Sequence, residues 1–224
     1  MRAAITLATL ATLLVSIPAS ASGRPPFTGR IYVFPLHQFR AEIYWPTGMN
    51  TVSMAQYGRW RGKAVAFSTT AYSNRRGAQA GLRIDNGYVH QGTFRKRCIL
   101  HVDQSGRHPS IGYVLPTDLH DAFEAGPCII RLGSHGLYIA EREERFNHSF
   151  VTARTERFVF CLDRGPTAMF LFRFRDSVWS IADAVARSNV DRCINLDGGS
   201  QAKERARQPA VLGILVDPFS TGGP

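Results

Sequence analysis

Apolar positions along this chain recur mostly at the two-residue period of strands, and once at the period of a helix. The stretches 31–36 (IYVFPL) and 39–45 (FRAEIYW) read as two strands, the second alternating apolar and polar before a Pro-Thr-Gly turn. Residues 63–72 (KAVAFSTTAY) form a short apolar strand that runs into polar positions. In 81–92 (GLRIDNGYVHQG) the turn residues Asp85-Asn86-Gly87 separate two strands, a strong hairpin pattern. A further apolar strand follows Gly126-Pro127 in 123–133 (FEAGPCIIRLG), and then comes a charged, loop-like stretch. The segments 157–162 (RFVFCL) and 167–174 (TAMFLFRF) flank Asp163-Arg164-Gly165-Pro166 and read as a second hairpin. They are apolar at successive positions, as strands are when both sheet faces are covered.

Val178, Ile181, Ala182 and Val185 fall at i, i+3, i+4 and i+7 and predict a helix, with Asp176 or Ser177 as N-cap and Asn189 near its end. The strand 192–196 (RCINL), the loop Asp197-Gly198-Gly199-Ser200 and a last strand in 210–216 (AVLGILV) complete the order. Many strands with a late strand–helix–strand unit predict an α+β fold: a mixed, mostly antiparallel sheet with few helices and a β-α-β crossover near the end. Such a crossover places its second strand parallel to a neighbour, and the Asp197 loop on the sheet's carboxyl edge, where ligands collect.

Composition trims the length that has to fold. Arg2, the short apolar run Ala3 to Ile17 and Ala19-Ser20-Ala21 have the layout of a secretory signal cleaved near Ala21. The expected organisation is a signal over 1–21, a flexible tail over 22–29, one domain over 30–218 and a second tail over 219–224. No second long apolar run follows, so no transmembrane segment is expected in the mature chain. The location implied is secreted or periplasmic. Four cysteines (Cys98, Cys128, Cys161, Cys193) in an exported chain favour two disulfides, with three connectivities open.

A formal charge of +10 favours anionic polymers and surfaces as surroundings. The basic residues are scattered, not striped with aromatics, so no specific nucleic-acid site is indicated. No G-x-S-x-G elbow, P-loop or Rossmann glycine pattern occurs, which sets aside those hydrolase, nucleotide and dinucleotide chemistries. No ligand spacing supports a metal, and no cofactor is implied.

Candidate chemistry gathers at Asp197. A carboxylate ending a buried strand must be paired, hydrogen-bonded or shifted in pKa, and the two glycines after it let backbone N–H groups approach an anion or sugar. Residues 151 to 200 resemble the phosphodiester glycosidase family. The resemblance rests on Arg154-Thr155, the apolar hairpin, the helix in 180–190 (SIADAVARSNV) and 194–200 (INLDGGS), and upstream on 122–130 (AFEAGPCII) and 71–89 (AYSNRRGAQAGLRIDNGYV). It extends over about residues 63 to 217.

It implies hydrolysis of the bond between a sugar's anomeric carbon and a phosphodiester oxygen, with a phosphorylated sugar or glycan as partner. Asp197 would stabilise the oxocarbenium-like carbon and Arg154 would neutralise the phosphate bidentately. Glu124 is the other carboxylate beside a motif, as proton carrier or substrate contact. Ser68, Thr70, Tyr72, Gly126, Thr155, Asn195, Gly198, Gly199 and Ser200 would line the substrate, with Asn195 orienting Asp197.

The chain departs from the family pattern in five places. Ser68 stands for its asparagine and Thr70 for its glycine, Glu124 for its glutamine, two glycines follow Asp197 instead of three, and the bulky Glu156-Arg157 replace small residues. Each change narrows or recharges the pocket. A catalytically degenerate protein that binds glycans or anionic polymer on the same fold is therefore the alternative.

Overall fold

The computed structural model describes residues 29–46, 51–61, 64–70, 81–91, 97–115, 117, 120–131, 137–140, 142–186, 189–199, 203 and 205–219. The expected signal, nearly all of the first tail, and residues 220–224 of the second lie outside these. In chain order the elements are β1 (Gly29–Pro35), β2 (Phe39–Tyr44), β3 (Val52–Ser53), α1 (Met54–Arg61), β4 (Ala64–Ser68), β5 (Arg83–Asp85), β6 (Tyr88–Gln91), β7 (Cys98–Val102) and β8 (Ser110–Gly112). Then follow β9 (Asp121–Ala125), β10 (Cys128–Arg131), β11 (Leu137–Ile139), α2 (His148–Thr152), β12 (Thr155–Asp163), β13 (Ala168–Asp176), α3 (Val178–Ala186), β14 (Val190–Asn195), β15 (Arg207–Gln208) and β16 (Val211–Val216).

A six-stranded sheet in the order β1-β13-β12-β14-β10-β11 is the backbone of the fold. A three-stranded sheet, β2-β16-β4, and a five-stranded sheet, β6-β5-β9-β7-β8, pack on one of its faces. Along β12, Phe158, Phe160 and Leu162 point into this main core, and Val159 and Cys161 point to the other face. There α3 buries Val178, Ile181, Ala182 and Val185, the stripe expected from the sequence. The unbroken apolar run of β12 thus follows from a sheet covered on both sides.

Both hairpins form. Asn86 and Gly87 take positive φ (50° and 80°) and turn β5 into β6. The Asp163 carboxylate receives the Thr167 N–H at 2.7 Å and closes the β12–β13 turn. At the start of α3 the Ser177 hydroxyl accepts the Ser180 N–H at 3.2 Å.

The mixed sheet is not what forms. Every ladder among the described residues is antiparallel. α3 connects β13 to β14, but β12 lies between them and pairs antiparallel with both. The hairpin already fills the place beside β13, so β14 can only reach the free edge of β12. A second difference is α1, a helix where only a loop and strands were expected. Its start has a reciprocal cap: Gln56 N–H donates to Ser53 Oγ at 3.2 Å, and Ser53 N–H donates to Gln56 Oε1 at 2.9 Å.

The cysteines form two disulfides, Cys98–Cys128 and Cys161–Cys193. The first joins the five-stranded sheet to the six-stranded one. The second staples residues that are direct register partners on β12 and β14. No helix among the described residues is long and apolar enough to cross a membrane.

Candidate active site

Asp197 stands just past the end of β14, where the chain leaves its partner strand. Leu196 N–H still donates to Phe158 C=O at 2.9 Å, but Asp197 N–H donates to Thr70 C=O at 3.0 Å. Thr69 Oγ1 donates back to Asp197 C=O at 2.6 Å. Both backbone groups of Asp197 are therefore held by the segment that follows β4. The side chain is 9% exposed, and Oδ1 accepts the Gly198 N–H at 2.8 Å.

The glycines here have steric reasons. A Cβ on Gly198 would lie 2.5 Å from Glu156 C=O, closer than side chains tolerate. Gly199 has a φ of +61°, and a Cβ there would lie 3.4 Å from Thr155 Oγ1. The loop is thus laid flat against the first residues of β12, and Thr155 adjoins it.

Asn195 is fully buried and bonds to the other side of the site. Its Nδ2 donates to Gly126 C=O and to Leu196 C=O, each at 3.2 Å, and Gly126 N–H donates to Asn195 C=O at 2.9 Å. Gly126 has a φ of +123°, and its peptide to Pro127 is cis. Asn195 and Gly126 therefore brace one another. Glu124, 1% exposed, accepts Leu82 N–H on Oε2 and Arg97 N–H on Oε1, both at 3.0 Å. Leu82 and Arg97 flank the segments 71–80 and 92–96, which lie outside the described residues.

The hydroxyls of Ser68 and Thr70 are both buried and donate to backbone, to Thr69 C=O and Ala210 C=O respectively, each at 3.0 Å. Tyr72 and Ser200 lie outside the described residues. The Arg154 side chain is 67% exposed and turns to Asp176, with Nε 3.0 Å from Oδ1. The Asp176 carboxyl stays below the usual carboxylate range: its partial burial pushes the other way, but hydrogen bonds from Arg154 and Ser177 outweigh it. Ser68, Thr70, Gly126, Thr155, Asn195, Asp197, Gly198 and Gly199 thus gather at one end of β14, and the Glu124 carboxylate, two residues before Gly126, is engaged by Leu82 and Arg97. Arg154 lies one residue from Thr155 and is engaged on the helix side.

Two residues matter here that the sequence did not single out, Thr69 and Glu144, and Arg157 takes a different part from the one expected. Thr69 clamps Asp197 as described. Arg157 was expected to narrow a pocket; instead its guanidinium is buried on the helix side. It donates to Phe150 C=O at 2.5 Å, Ala153 C=O at 3.2 Å and Asp176 C=O at 3.3 Å.

Glu144 emerges from the charged 142–145 stretch and buries its carboxylate beside Gly126 and the Cys98–Cys128 bridge. It accepts Cys128 N–H (2.9 Å), Cys98 N–H (3.2 Å) and the Tyr113 hydroxyl (2.7 Å). Burial pushes its pKa up to about 7, against these hydrogen bonds and the Arg97 charge. The two sulfurs and this carboxylate have metal-like spacing, but the sulfurs are joined to each other. A run of charges in a sequence reads as a solvated loop, and no local signal separates Glu144 from Glu143.

This arrangement defines a β-rich fold with a carboxylate-and-glycine loop at a sheet end, and solved structures share the fold. The catalytic domain of zebrafish N-acetylglucosamine-1-phosphodiester alpha-N-acetylglucosaminidase, auto-inhibited by its pro-peptide, is similar at a TM-score of 0.66 and 18% identity, over 88% of this chain and 80% of that one. A hypothetical protein from Synechocystis is similar at a TM-score of 0.68 and 12% identity, over 85% of this chain and 59% of that one. At these identities the likeness is one of fold. No family model and no curated protein matches the sequence.

Proposed function

We propose that the protein is an exported hydrolase that cleaves sugar-1-phosphodiester bonds in glycans, wall polymers or glycolipids. The observation that carries this reading is the loop at Asp197: a nearly buried carboxylate, clamped through its backbone by Thr69 and Thr70 and followed by two glycines packed flat on β12. The fold shared with the phosphodiester glycosidase domain from zebrafish supports it.

A phosphate is a good leaving group, so the reaction needs a carboxylate beside the positive anomeric carbon more than a strong acid. Asp197 supplies that carboxylate, and the backbone around Gly198 and Gly199 supplies close-approaching N–H groups. Arg154 supplies the guanidinium by exchanging Asp176 for a phosphate oxygen, a small rearrangement for an exposed side chain. The two disulfides accord with export.

The test is hydrolysis of an aryl or uridine-diphospho N-acetylglucosamine phosphodiester by the purified protein. Asp197→Asn keeps an oxygen for the Gly198 N–H, so it should leave the fold intact and lower kcat/KM at least about a thousandfold, about 4 kcal/mol. Substrate left intact at high enzyme concentration, across several sugars, would reject the activity.

A second reading is glycan binding without turnover on the same fold. It draws on the Arg154–Asp176 ion pair and on the backbone bonds of the Ser68 and Thr70 hydroxyls, at the positions that depart from the family pattern. In that case Asp197→Asn leaves polymer retention unchanged.

A further inference from the structure

The last residues of β13 and the first of β1 and β12 meet at the sheet end where the Asp197 loop lies. A groove of about 380 Å³ opens there, lined by Gly29, Arg30, Glu156, Arg173, Phe174 and Arg175. Its charged side chains share one face of the sheet. Leu171 and Phe158 point into the main core, and Arg173, Arg175 and Glu156 keep to that face at the two-residue period. Arg30 is the direct register partner of Arg173, and Glu156 that of Arg175.

Three guanidiniums thus stand with one carboxylate. Glu156 is taken up by Arg173, whose Nε and Nη2 lie 2.8 and 2.7 Å from Oε1. Arg30 and Arg175 are exposed and meet no carboxylate among the described residues. Like charges at facing positions of an antiparallel pair cost stability, so the fold gains nothing from setting Arg30 opposite Arg173. An anion between them replaces that repulsion with charge-assisted hydrogen bonds.

The groove also leads to the candidate active site. Val159 pairs with Asn195, and the Leu196 N–H still donates to Phe158 C=O. Counting on along both chains sets Glu156 opposite Gly198, and a Cβ on Gly198 would indeed lie 2.5 Å from the Glu156 carbonyl. Arg175, Glu156 and Gly198 therefore form one row across the sheet end. Two strand spacings, roughly 10 Å, separate Arg175 from the glycine loop.

We propose that this groove holds the phosphates next in line after the one at Asp197, so that the substrate is a glycan chain with a phosphodiester at every repeat. The proposal rests on the hydrolase reading for its physiological role, but binding is independent of turnover. A guanidinium takes a phosphate in a bidentate pair. A substrate with a single phosphodiester would leave Arg30 and Arg175 unanswered. A nucleic acid also offers a row of phosphates, but Phe174 is 3% exposed and the Phe158 ring lies under the Arg173 guanidinium. No ring lining the groove is open for a base to stack on.

Asp197→Asn removes turnover on this reading and lets affinity be measured by itself. Titration calorimetry of that protein at low salt takes three probes: a decamer of N-acetylglucosamine-1-phosphate, a thymidine oligonucleotide decamer and a hyaluronan decamer. The phosphate-linked glycan should bind at least about tenfold tighter than either other chain, and salt should weaken it. Adding Arg30→Gln and Arg175→Gln together should weaken that binding at least about tenfold. The thermal midpoint should hold or rise, because a like-charge pair is removed. With Asp197 intact, the same two changes should raise KM for the glycan decamer and leave kcat/KM for an aryl phosphodiester unchanged.

Equal affinity for the oligonucleotide or for hyaluronan overturns the proposal, and so does undiminished affinity without the two arginines. A lowered midpoint would mean that the arginines serve the fold, which overturns it as well. Selective binding of the glycan phosphate with no hydrolysis of any phosphodiester would count against the hydrolase reading alone. Hydrolysis of the aryl substrate with no preference for the decamer would count against the groove alone.

Discussion

The two faces of the six-stranded sheet are built from different ranges of the chain. On the helix side, α3 and Val151 of α2 pack on Val159, Cys161, Phe172 and Cys193, and nearly all of these residues lie between 151 and 193. On the other side, Phe158, Phe160 and Ile194 meet Ala41 and Ile43 of β2, Leu212 and Ile214 of β16, and Leu100 and Phe123 of the five-stranded sheet. The first face is a local assembly. The second closes long loops, each with an entropic cost that burial must offset. Asp197 lies at the seam: its strand belongs to the local unit, while its backbone partner Thr69 is 128 residues away. The placement of Asp197 depends on the non-local face holding a residue that the local face delivers.

The sharpest way to break this contrast is on the local side. Arg157 ties α2 to β12 and β13 through three carbonyls and also lies over the Phe150 ring, 4.8 Å from its centroid. Arg157→Met fills similar volume but leaves those carbonyls without their charged donor. The expected loss is roughly 3 to 4 kcal/mol in urea unfolding, with m unchanged. A loss under about 1 kcal/mol would mean that α2 is held by its apolar contacts alone.

The next effect sharpens the comparison at the junction of two sheets, where Glu144 accepts from both cysteines of the bridge between them. Its folded value of about 7 lies above the ordinary 4.5, chiefly because it is buried. The folded chain therefore keeps this proton at a pH where the unfolded chain has lost it. Stability from this group is complete below about pH 4.5 and is lost as pH rises through about 7. Wild-type stability should fall by up to about 3 kcal/mol across that window. In Glu144→Gln, which keeps a carbonyl oxygen and cannot ionise, that slope should be absent. Chemical unfolding at several pH values, with Arg97 and Tyr113 intact, reads the difference directly. Parallel curves for the two proteins would show that Glu144 titrates normally.

How far the sequence could be read follows the same divide. The β12–β13 hairpin, the stripe of α3, the Asp85-Asn86-Gly87 turn and the LDGG loop all declare themselves within a few consecutive residues, and the structure contains them. The relation of β14 to its neighbour did not declare itself. A strand–helix–strand pattern says nothing about which edge is free, and the preceding hairpin had already taken one. Asn195 alternates onto the same face as Asp197, yet its amide is bonded to Gly126, a partner 69 residues distant. Glu144 looks like a surface charge in a row of charges, and Arg157 like a bulky residue narrowing a pocket; only the fold gives them N–H groups and carbonyls to serve. Local chemistry is readable, and long-range hydrogen bonding is not.

α1 is the exception on the non-local face, because its signal was local and still went unread. Its apolar pattern is weak, with only Met54 and Tyr57 buried, so periodicity points to no helix. What starts it is Ser53 and Gln56 at the spacing of a capping box, each satisfying the other's N–H. Ser53→Ala removes one acceptor and leaves the Gln56 side chain in place. The expected cost is about 1 kcal/mol. Tyr57 packs on Gly213 of β16 and its hydroxyl donates to Glu42 at 3.3 Å, so a frayed α1 would loosen β2. Faster amide exchange in α1 and β2, with α3 unchanged, would show that the cap supports only the non-local face. Equal acceleration in α3 would mean that the two faces open as one unit and that the contrast between them is structural only.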